Sequence, residues 1–323
     1  TSAAPNLRVV SKNPVFDYWV TGSSSAPQVF YLDKDGKIMK SANGNDEVIV
    51  SDAVPNMQGV KASTDGKYVI LKFGDIGNPI FTLWNAATKE KTLLTNTTAA
   101  VFSPDSKKIA LLQKSATTAR MNLVIKTLSN MKSAGQIITS LRENDFDLLW
   151  VSSNQILLAA KPTFEYAGEI WSVAVGTGNI SLIGQGRGAM SGWSSDGKYG
   201  MLYSVRDDRA ASTNLIKPNG SATANLDFVT FPSKCYLAPT MVYCALPQSY
   251  NAVGNLIMPD DYLKRAAYST DFIYSIDMSQ NALTALFADA TPQIDATHLE
   301  LRGSQLFFVN RYDDKVYSLA ISH

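Results

Sequence analysis

Short runs of apolar and β-branched residues alternate with polar turn residues along most of the chain. In residues 57–95, Val60 opens one such run and Asp65-Gly66 ends it. Asp-Gly between two such runs is typical of a hairpin, because glycine adopts positive φ without a Cβ clash. Three further apolar runs complete the unit, at 68–73, 80–84 and 91–94. The pattern predicts an antiparallel unit of four strands.

One short phrase returns within this pattern at a nearly even spacing. It reads Ser-Thr-Asp-Gly-Lys at 63–67, Ser-Pro-Asp-Ser-Lys at 103–107 and Ser-Ser-Asp-Gly-Lys at 194–198, with a decayed copy at 152–155. Measured at the Asp or Asn of each copy, the steps are 40, 49 and 42 residues. A period of roughly 40 to 50 residues in β-type sequence is typical of propeller blades.

The whole chain divides into seven such units. They begin near residues 14, 57, 99, 146, 189, 234 and 296, and the last one is a strand short. The unpartnered segment 7–10 supplies a strand that completes the seventh blade, and this pairing removes two exposed sheet edges. We therefore predict an all-β fold, a single seven-bladed β-propeller of four-stranded antiparallel blades over residues 7–323, closed by its N-terminal strand. Residues 1–6 are predicted to be a polar stem.

Composition narrows the classes of partner. The chain has 323 residues, 45% of them hydrophobic, and its 29 basic and 28 acidic residues leave a net charge of +1. A nucleic-acid partner normally needs a concentrated basic face, so none is predicted. No apolar stretch approaches the roughly 18 residues that span a bilayer, so no membrane insertion of this chain is predicted.

The Ser-x-Asp-Gly-Lys phrase followed by an apolar strand resembles the repeat of TolB-like and dipeptidyl-peptidase-type bacterial β-propellers. The stretches 234–247 and 268–277 are similar to envelope-anchored propellers of uncultivated small bacteria. The resemblance implies an extracellular or cell-envelope location, with secretion or anchoring by a segment that this chain does not include. The resemblance does not identify a ligand. The α/β domain that precedes the propeller in TolB-like proteins is missing from this sequence, which weakens any expectation of their partners.

The two cysteines are predicted to form a disulfide. If Pro239-Thr240 is a two-residue turn, Cys235 lies opposite Cys244 in a non-hydrogen-bonded pair, with Cα atoms about 4.5 Å apart. That separation is within disulfide range. The alternative is two reduced, buried cysteines in neighbouring strands. A metal site at this pair is not expected, since the chain has no other cysteine and only two histidines.

Candidate chemistry is sparse. His298 lies in a predicted strand, where a packed or capped histidine is the commoner case, and His323 is the last residue. No Gly-x-Ser-x-Gly nucleophile elbow is present. The glycine-rich segment 184–188 precedes a strand and lacks a phosphate-loop pattern, so it is interpreted as a connecting loop. Asp33-Lys34-Asp35-Gly36 is interpreted as a turn, because most positions of a calcium loop are missing. No catalytic residue, metal or cofactor is predicted.

Loop lengths favour one face of the predicted blades. The connections between first and second strands are tight, whereas those between second and third strands are long, above all residues 248–270. Variable loops on a rigid scaffold are where binding usually resides. The candidate ligand-binding residues on this long-loop face are Phe164, Tyr166, Arg206, Tyr250, Tyr262 and Arg265. The alternative is that the insertion merely folds over its own blade.

These observations favour a non-catalytic binding or scaffold module whose long-loop face contacts a protein or glycan partner of the cell surface. One alternative is a carbohydrate-active enzyme with carboxylates at the central channel. Another is a structural subunit of a surface assembly.

Overall fold

The computed structural model describes residues 7–42, 45–143, 145–251, 255–278 and 282–321. The predicted stem 1–6 and His323 lie outside these described residues. Antiparallel β-sheet accounts for nearly all regular structure in the described part, as the alternating apolar pattern predicts.

A short first strand, β1 (Leu7–Val9), precedes three sheets of four strands that pair in chain order. The first of these sheets contains β2 (Val15–Ser23), β3 (Ala26–Asp33), β4 (Ile38–Ala42) and β5 (Asn45–Val50). The second contains β6 (Met57–Ala62), β7 (Tyr68–Asp75), β8 (Asn78–Asn85) and β9 (Lys91–Leu93). The third contains β10 (Thr97–Phe102), β11 (Lys108–Lys114), β12 (Met121–Thr127) and β13 (Gln136–Leu141).

A seven-stranded sheet follows, in which two four-stranded units share one long strand, β17 (Ile180–Trp193). The first part of β17 pairs with β16 and the second part with β18. The other strands are β14 (Phe146–Ser152), β15 (Gln155–Ala160), β16 (Ala167–Ala174), β18 (Gly200–Val205), β19 (Ala211–Ile216) and β20 (Ala222–Asn225). The glycine-rich segment 184–188 is therefore part of a strand, which corrects its interpretation as a loop. Gly186 and Gly188 take positive φ beside the register shift of β17, so the strand continues through the junction.

Two sheets complete the chain. The strands of the first are β21 (Cys235–Leu237), β22 (Met241–Asn251), β23 (Tyr268–Asp277) and β24 (Ala282–Phe287), and those of the second are β25 (Ala296–Arg302), β26 (Gln305–Asn310) and β27 (Lys315–Ala320) with β1. Three short helical segments are the 3₁₀ turns Leu128–Asn130 and Pro232–Lys234 and the α-helix α1 (Asp260–Leu263). Within the described ranges, no helix has the length and apolar character needed to cross a membrane.

The first strand of the chain joins the last sheet. β1 pairs antiparallel with β27, with Leu7 opposite Leu319 and Val9 opposite Tyr317. The backbone N–H of Val10 extends the ladder by donating to the carbonyl of Val316 at 2.8 Å. This pairing is the one predicted for the N-terminal segment.

The hydrophobic core is divided into clusters that lie between consecutive four-stranded units. Seven clusters of buried residues each join two neighbouring units, and an eighth lies beneath α1. One of the seven joins the first unit to the last, where Val20 and Tyr31 pack with Phe307. Each unit therefore buries both of its faces against neighbours, which explains why its strands are apolar on both sides.

The repeated phrase forms one hydrogen-bonded turn in three places. In the first copy, the Ser63 hydroxyl lies 2.8 Å from Asp65 Oδ1 and accepts the backbone N–H of Tyr68 at 3.0 Å. The same bonds recur in the copies that begin at Ser103 and Ser194, and all three serines are buried. The decayed copy has instead a two-residue turn between Ser152 and Gln155. The phrase is therefore a turn-forming element.

The cysteine pairing is as predicted. Cys235 lies opposite Cys244 in the β21–β22 hairpin, Leu237 lies opposite Val242, and the Ala238 N–H donates to the Met241 carbonyl at the turn. The two cysteines form a disulfide, with Cα atoms 4.2 Å apart.

Candidate functional site

Two opposite faces are distinguished by the connections between strands. The long-loop face carries the connections between the second and third strands of each unit, and the tight-turn face carries those between the first and second strands. The largest connection on the long-loop face follows Asn251 and ends before Tyr268. It is shorter than the predicted insertion 248–270, because β22 and β23 continue to pair as far as Asn251 and Tyr268. The described part of this insertion, residues 255–267, contains α1.

The insertion is fixed to the loops on both sides of it. The Asp260 carboxylate accepts the Thr163 hydroxyl at 2.8 Å and the backbone N–H of Phe164 at 2.7 Å, both in the β15–β16 connection. On the other side, Arg265 pairs with Asp314 of the β26–β27 connection at 2.5 Å. The insertion thus reaches beyond its own sheet to the connections of two other sheets.

Tyr262 anchors α1 from below and is not a surface residue. Its side chain is only 3% exposed. The ring lies 4.6 Å from that of Phe231 and 3.7 Å from the Arg311 guanidinium, and its hydroxyl donates to Asp295 Oδ1 at 2.7 Å. The prediction that Tyr262 contacts a ligand at the surface is therefore wrong, because an aromatic residue at this position fills the core beneath the insertion.

A buried cluster of charged residues supports Tyr262. Lys234, Asp271 and Asp295 are fully buried, and the Lys234 ammonium lies 2.5 Å from Asp271 and 2.7 Å from Asp295. Arg311 is nearly buried and donates to Asp295 at 2.9 Å and to the Tyr262 carbonyl at 2.7 Å. Two positive and two negative groups balance, which is the condition for burying charge at acceptable cost.

The pKa shifts in this cluster follow from burial and pairing. Burial alone would lower the pKa of Lys234, but Asp271, Tyr262 and Asp295 raise it well above its ordinary value. Burial raises the pKa of Asp271, whereas Lys234 and Arg311 hold the pKa of Asp295 below its ordinary value in spite of burial. The cluster has no access to solvent and joins β23, β25 and the 3₁₀ turn before β21. It is therefore a structural support for the insertion.

The other predicted site residues lie on or near the long-loop face in different surroundings. Phe164 lies beneath the Arg187 guanidinium, 5.4 Å from its ring centre. Tyr166 is 63% exposed, and Tyr250 is 37% exposed. Arg206 is exposed and pairs with Asp208 at 2.7 Å. Arg265 is held by Asp314, as described above.

Exposed apolar side chains are a second property of the long-loop face. Ile76, in the β7–β8 connection, is 86% exposed, and Leu263 of α1 is 49% exposed. Together with Tyr166 they place large apolar groups on three separate connections. Ile76 and Leu263 could not be recognised from the sequence, because an isolated apolar residue in a loop gives no pattern.

The tight-turn face is different. Its repeated turns place Lys67 and Lys198 beside Asp65 and Asp196, at 3.4 and 3.1 Å. Hydrogen bonds from Ser103 and from the backbone of Lys107 lower the pKa of Asp105. Burial would raise the pKa of Asp65 and of Asp196, but the corresponding hydrogen bonds in their turns lower it. The turn carboxylates are therefore engaged within their own turns.

Residues of seven different strands line a common cavity. Near the tight-turn face the cavity measures about 570 Å³ and is lined by residues of β2, β6, β10, β14, β17, β21 and β25. We call it the turn-side cavity. A loop-side cavity of about 550 Å³ shares part of its lining with it, including Val60, Lys61 and Ser191. The Lys61 ammonium donates to the carbonyl of Leu148 at 2.9 Å between two walls of the cavity, and enclosure by these walls lowers its pKa.

His298 and Asp17 form a pair in the wall of the turn-side cavity. Nδ1 of His298 lies 2.5 Å from Asp17 Oδ1, and the histidine side chain is 43% exposed. The His298 ring also contacts the Tyr18 ring, with centres 4.8 Å apart. Enclosure would lower the pKa of His298, but Asp17 raises it to about 9. The expectation of a packed histidine is thus only partly met, since less than half of the side chain is exposed.

Glu300 and Arg302 continue this wall along β25. Arg302 Nε lies 3.2 Å from Glu300, and the same guanidinium donates to the carbonyls of Val20 and Thr64. Burial raises the pKa of Glu300, although His298 and Arg302 oppose the shift. Asp17 and His298 are 281 residues apart in sequence, so no local motif could have identified their proximity. Across the residues with assigned positions, no group of three His, Cys, Asp or Glu side chains is arranged to hold a metal ion.

Comparison with known proteins yields structural likeness only. No protein-family profile matches the chain, and no curated protein matches it in sequence. The WD40 repeats of RRP9 superpose with a TM-score of 0.59 at 13% identity, covering 99% of each chain. Oligogalacturonate lyase in complex with manganese superposes at 0.58 with 10% identity, again over 99% of each chain. Tricorn protease superposes at 0.57 with 10% identity, and the present chain spans about a third (34%) of its length.

At these identities the likeness concerns the fold alone. The similar structures include enzymes and repeat domains, and the architecture is what they share. Consecutive four-stranded antiparallel sheets with their first strands around a common cavity are typical of the β-propeller architecture. The chain is therefore a β-propeller.

Proposed function

We propose that the propeller is a ring of seven blades closed by β1, of the TolB-like or dipeptidyl-peptidase type that the repeated phrase resembles. Seven first strands line the cavity, seven apolar clusters link consecutive units, and β1 supplies the fourth strand of the last sheet. Pairing the two ends of the chain in one blade leaves no gap between the last unit and the first.

We further propose that this ring is a binding module, and that its long-loop face binds a protein partner. The observation that carries this proposal is the exposure of Ile76, Tyr166 and Leu263 on three connections of one face. Large apolar groups held on a rigid scaffold are typical of interaction surfaces. The anchored insertion supports the same role, since a surface that is already ordered loses little entropy on binding.

A protein partner is favoured over a glycan by the chemistry of these side chains. Sugar rings stack on flat aromatic faces, whereas two of these three exposed groups, Ile76 and Leu263, are aliphatic. Charged residues such as Arg206 and Asp208 lie on another connection of this face, and protein interfaces combine an apolar centre with a polar rim. The alternative, a structural subunit of a surface assembly, would instead use repeated lateral contacts of the blades.

The location that we propose is extracellular or in the cell envelope. The Cys235–Cys244 disulfide supports it, because disulfides persist mainly in oxidising compartments. Mass spectrometry of native protein from its natural host, alkylated before and after reduction, tests the pairing. Two alkylated thiols before reduction would contradict both the bond and the location.

Binding is tested with two matched triple variants. In the first, Ile76→Ser, Tyr166→Ser and Leu263→Ser remove the apolar groups of the long-loop face. In the second, Lys67→Ser, Lys107→Ser and Lys198→Ser change the tight-turn face. Each protein captures partners from the envelope fraction of the natural host, and each captured protein is purified and measured by calorimetry. A glycan array is run in parallel.

We expect a purified protein partner that binds the wild type and the lysine variant equally and loses at least tenfold in affinity for the apolar variant. Equal melting temperatures of the two variants serve as the folding control. Loss of binding in the lysine variant alone would show that the wrong face was chosen. Glycan binding that the apolar variant abolishes would overturn the choice of a protein.

A further inference from the structure

The backbone at His298 is held in a conformation that histidine rarely adopts. Its φ is +53°, within β25, where the pairing with β26 shifts register between Thr297 and Glu300. A non-glycine residue in the left-handed region costs free energy, about 1 kcal/mol or more. Such strain persists where surrounding contacts fix it, and it is concentrated at functional sites.

Contacts from β2 fix both the backbone and the ring of this residue. The Tyr18 hydroxyl donates to the His298 carbonyl at 2.6 Å, and Asp17 Oδ1 accepts the backbone N–H of Tyr18 as well as bonding the His298 ring. Asp17 therefore occupies Nδ1 and leaves Nε2 as the available nitrogen of a ring that lines the turn-side cavity. Within the described ranges, no protein group bonds Nε2.

Charged side chains of both signs lie around this nitrogen. Asp17 and Tyr18 of β2 contact the His298 ring, and Glu300 of β25 lies close enough to act on its charge. Arg302 pairs with Glu300, and Lys61 lines the same cavity from β6. An anionic ligand and a cationic ligand would each meet side chains of its own charge. An apolar ligand would leave the Nε2 hydrogen without a partner.

A neutral ligand with many hydroxyl groups, which both donate and accept hydrogen bonds, matches this mixed set of side chains without bringing a charge of its own. The cavity volume of about 570 Å³ is in the range of small-molecule sites. Trp193 and Tyr236 also line the cavity and supply aromatic area beside these polar groups.

We propose that the turn-side cavity binds a neutral carbohydrate, with His298 Nε2 as donor and the Glu300 carboxylate as acceptor. The site is distinct from the protein-binding surface proposed above, because it is bounded by the tight turns and shares no residue with Ile76, Tyr166 or Leu263. Either proposal can therefore fail without the other.

The first experiment follows His298 by NMR. The chain has two histidines, and the His323→Gln variant leaves His298 as the single reporter. Neutral oligosaccharides of two to four sugars are added, up to about 10 mM, and matched uronic-acid oligosaccharides and sulfate serve as charged comparisons. We expect a saturable shift of the His298 ring signal with at least one neutral saccharide, and a smaller shift with its charged counterpart.

The second experiment measures affinity by calorimetry for the saccharide that shifts His298 most. His298→Asn keeps a residue that tolerates the left-handed backbone, and Glu300→Gln keeps the size of the side chain. Asp147→Asn is the control, since Asp147 lines the loop-side cavity. We expect at least a tenfold loss of affinity in the first two variants and no change in the control, with melting temperatures checked for all three.

Three results would overturn the proposal. One is the absence of any shift with neutral saccharides. Another is tighter binding of the uronic acids or sulfate, which would make the site an anion site. The third is an equal loss of affinity in Asp147→Asn.

Discussion

Two charged residues, His298 and Lys234, lie in environments that are unusual for their residue types, and each can be tested by substitution. His298 is held at a cavity wall by Asp17, and Lys234 is buried among carboxylates. Neither environment follows from the residue type. Both come from side chains that are distant in sequence, so only the folded chain brings them together.

The Asp17→Asn change should lower the pKa of His298 from about 9 toward its ordinary value of 6.5, since Asp17 is the main group that raises it. A folded-state pKa above the unfolded value means that the pair contributes its full stability below pH 6.5. That contribution declines as the pH rises through about 9. The difference in free energy of unfolding between wild type and variant should therefore be larger at pH 6 than at pH 10. Urea denaturation measures it, and a difference that grows with pH would contradict the pairing.

The Lys234→Ala change should destabilise the protein by about 3–5 kcal/mol, because it leaves the buried carboxylates of Asp271 and Asp295 without their cation. Lys198→Ala is the control, since Lys198 is 81% exposed at its turn and surface pairs contribute little. Denaturant unfolding of both variants provides the measurement. Equal stabilities of the two variants would show that the cluster is not a support.

At the scale of elements, the repeated turn and the insertion differ in how far the sequence predicts them. The Ser-x-Asp-Gly-Lys turns, the Cys235–Cys244 pairing and the strand order follow from local patterns and were predicted. The role of Tyr262 was not, because the residues that bury it come from three other segments, at Phe231, Asp295 and Arg311. An aromatic residue in a long insertion has the same local sequence whether it faces solvent or the core.

Ser194→Ala should destabilise the protein by about 1–2 kcal/mol, because the buried hydroxyl bonds Asp196 and the Tyr199 N–H within the turn. The matched control is Ser152→Ala in the decayed copy, where the hydroxyl has only a long contact of 3.4 Å with the Asn154 N–H. Thermal unfolding of both variants compares the two copies. A cost at Ser152 as large as at Ser194 would show that the repeated turn is not the stabilising element.

The regular four-stranded unit makes the architecture of the whole molecule predictable from the sequence. The chemistry of the cavity cannot be predicted in this way. The β-type repeat and its spacing indicate a propeller from the sequence alone, and the structure agrees. The Asp17–His298 pair joins β2 to β25 at the cavity, beside the Glu300–Arg302 pair of β25. Their positions depend on register and on the bulge at His298, which sequence patterns do not specify.

Deleting residues 1–12 should destabilise the entire molecule, because the last sheet loses β1 and its pairing with β27. Deleting residues 1–6 is the control, since it keeps β1. Differential scanning calorimetry of the two truncated proteins gives the melting temperatures. An unchanged melting temperature after the longer deletion would count against closure of the ring by β1.

The pairing of β1 with β27 also determines when during synthesis the last sheet can be completed. The ribosome releases Leu7 early, but its partner Leu319 is synthesised more than three hundred residues later. Contacts that join such distant positions form late and slow the completion of folding. Until β27 emerges, β1 and β26 present strand edges without their shared partner. A chain truncated before Lys315 would keep these edges open to pairing with other chains.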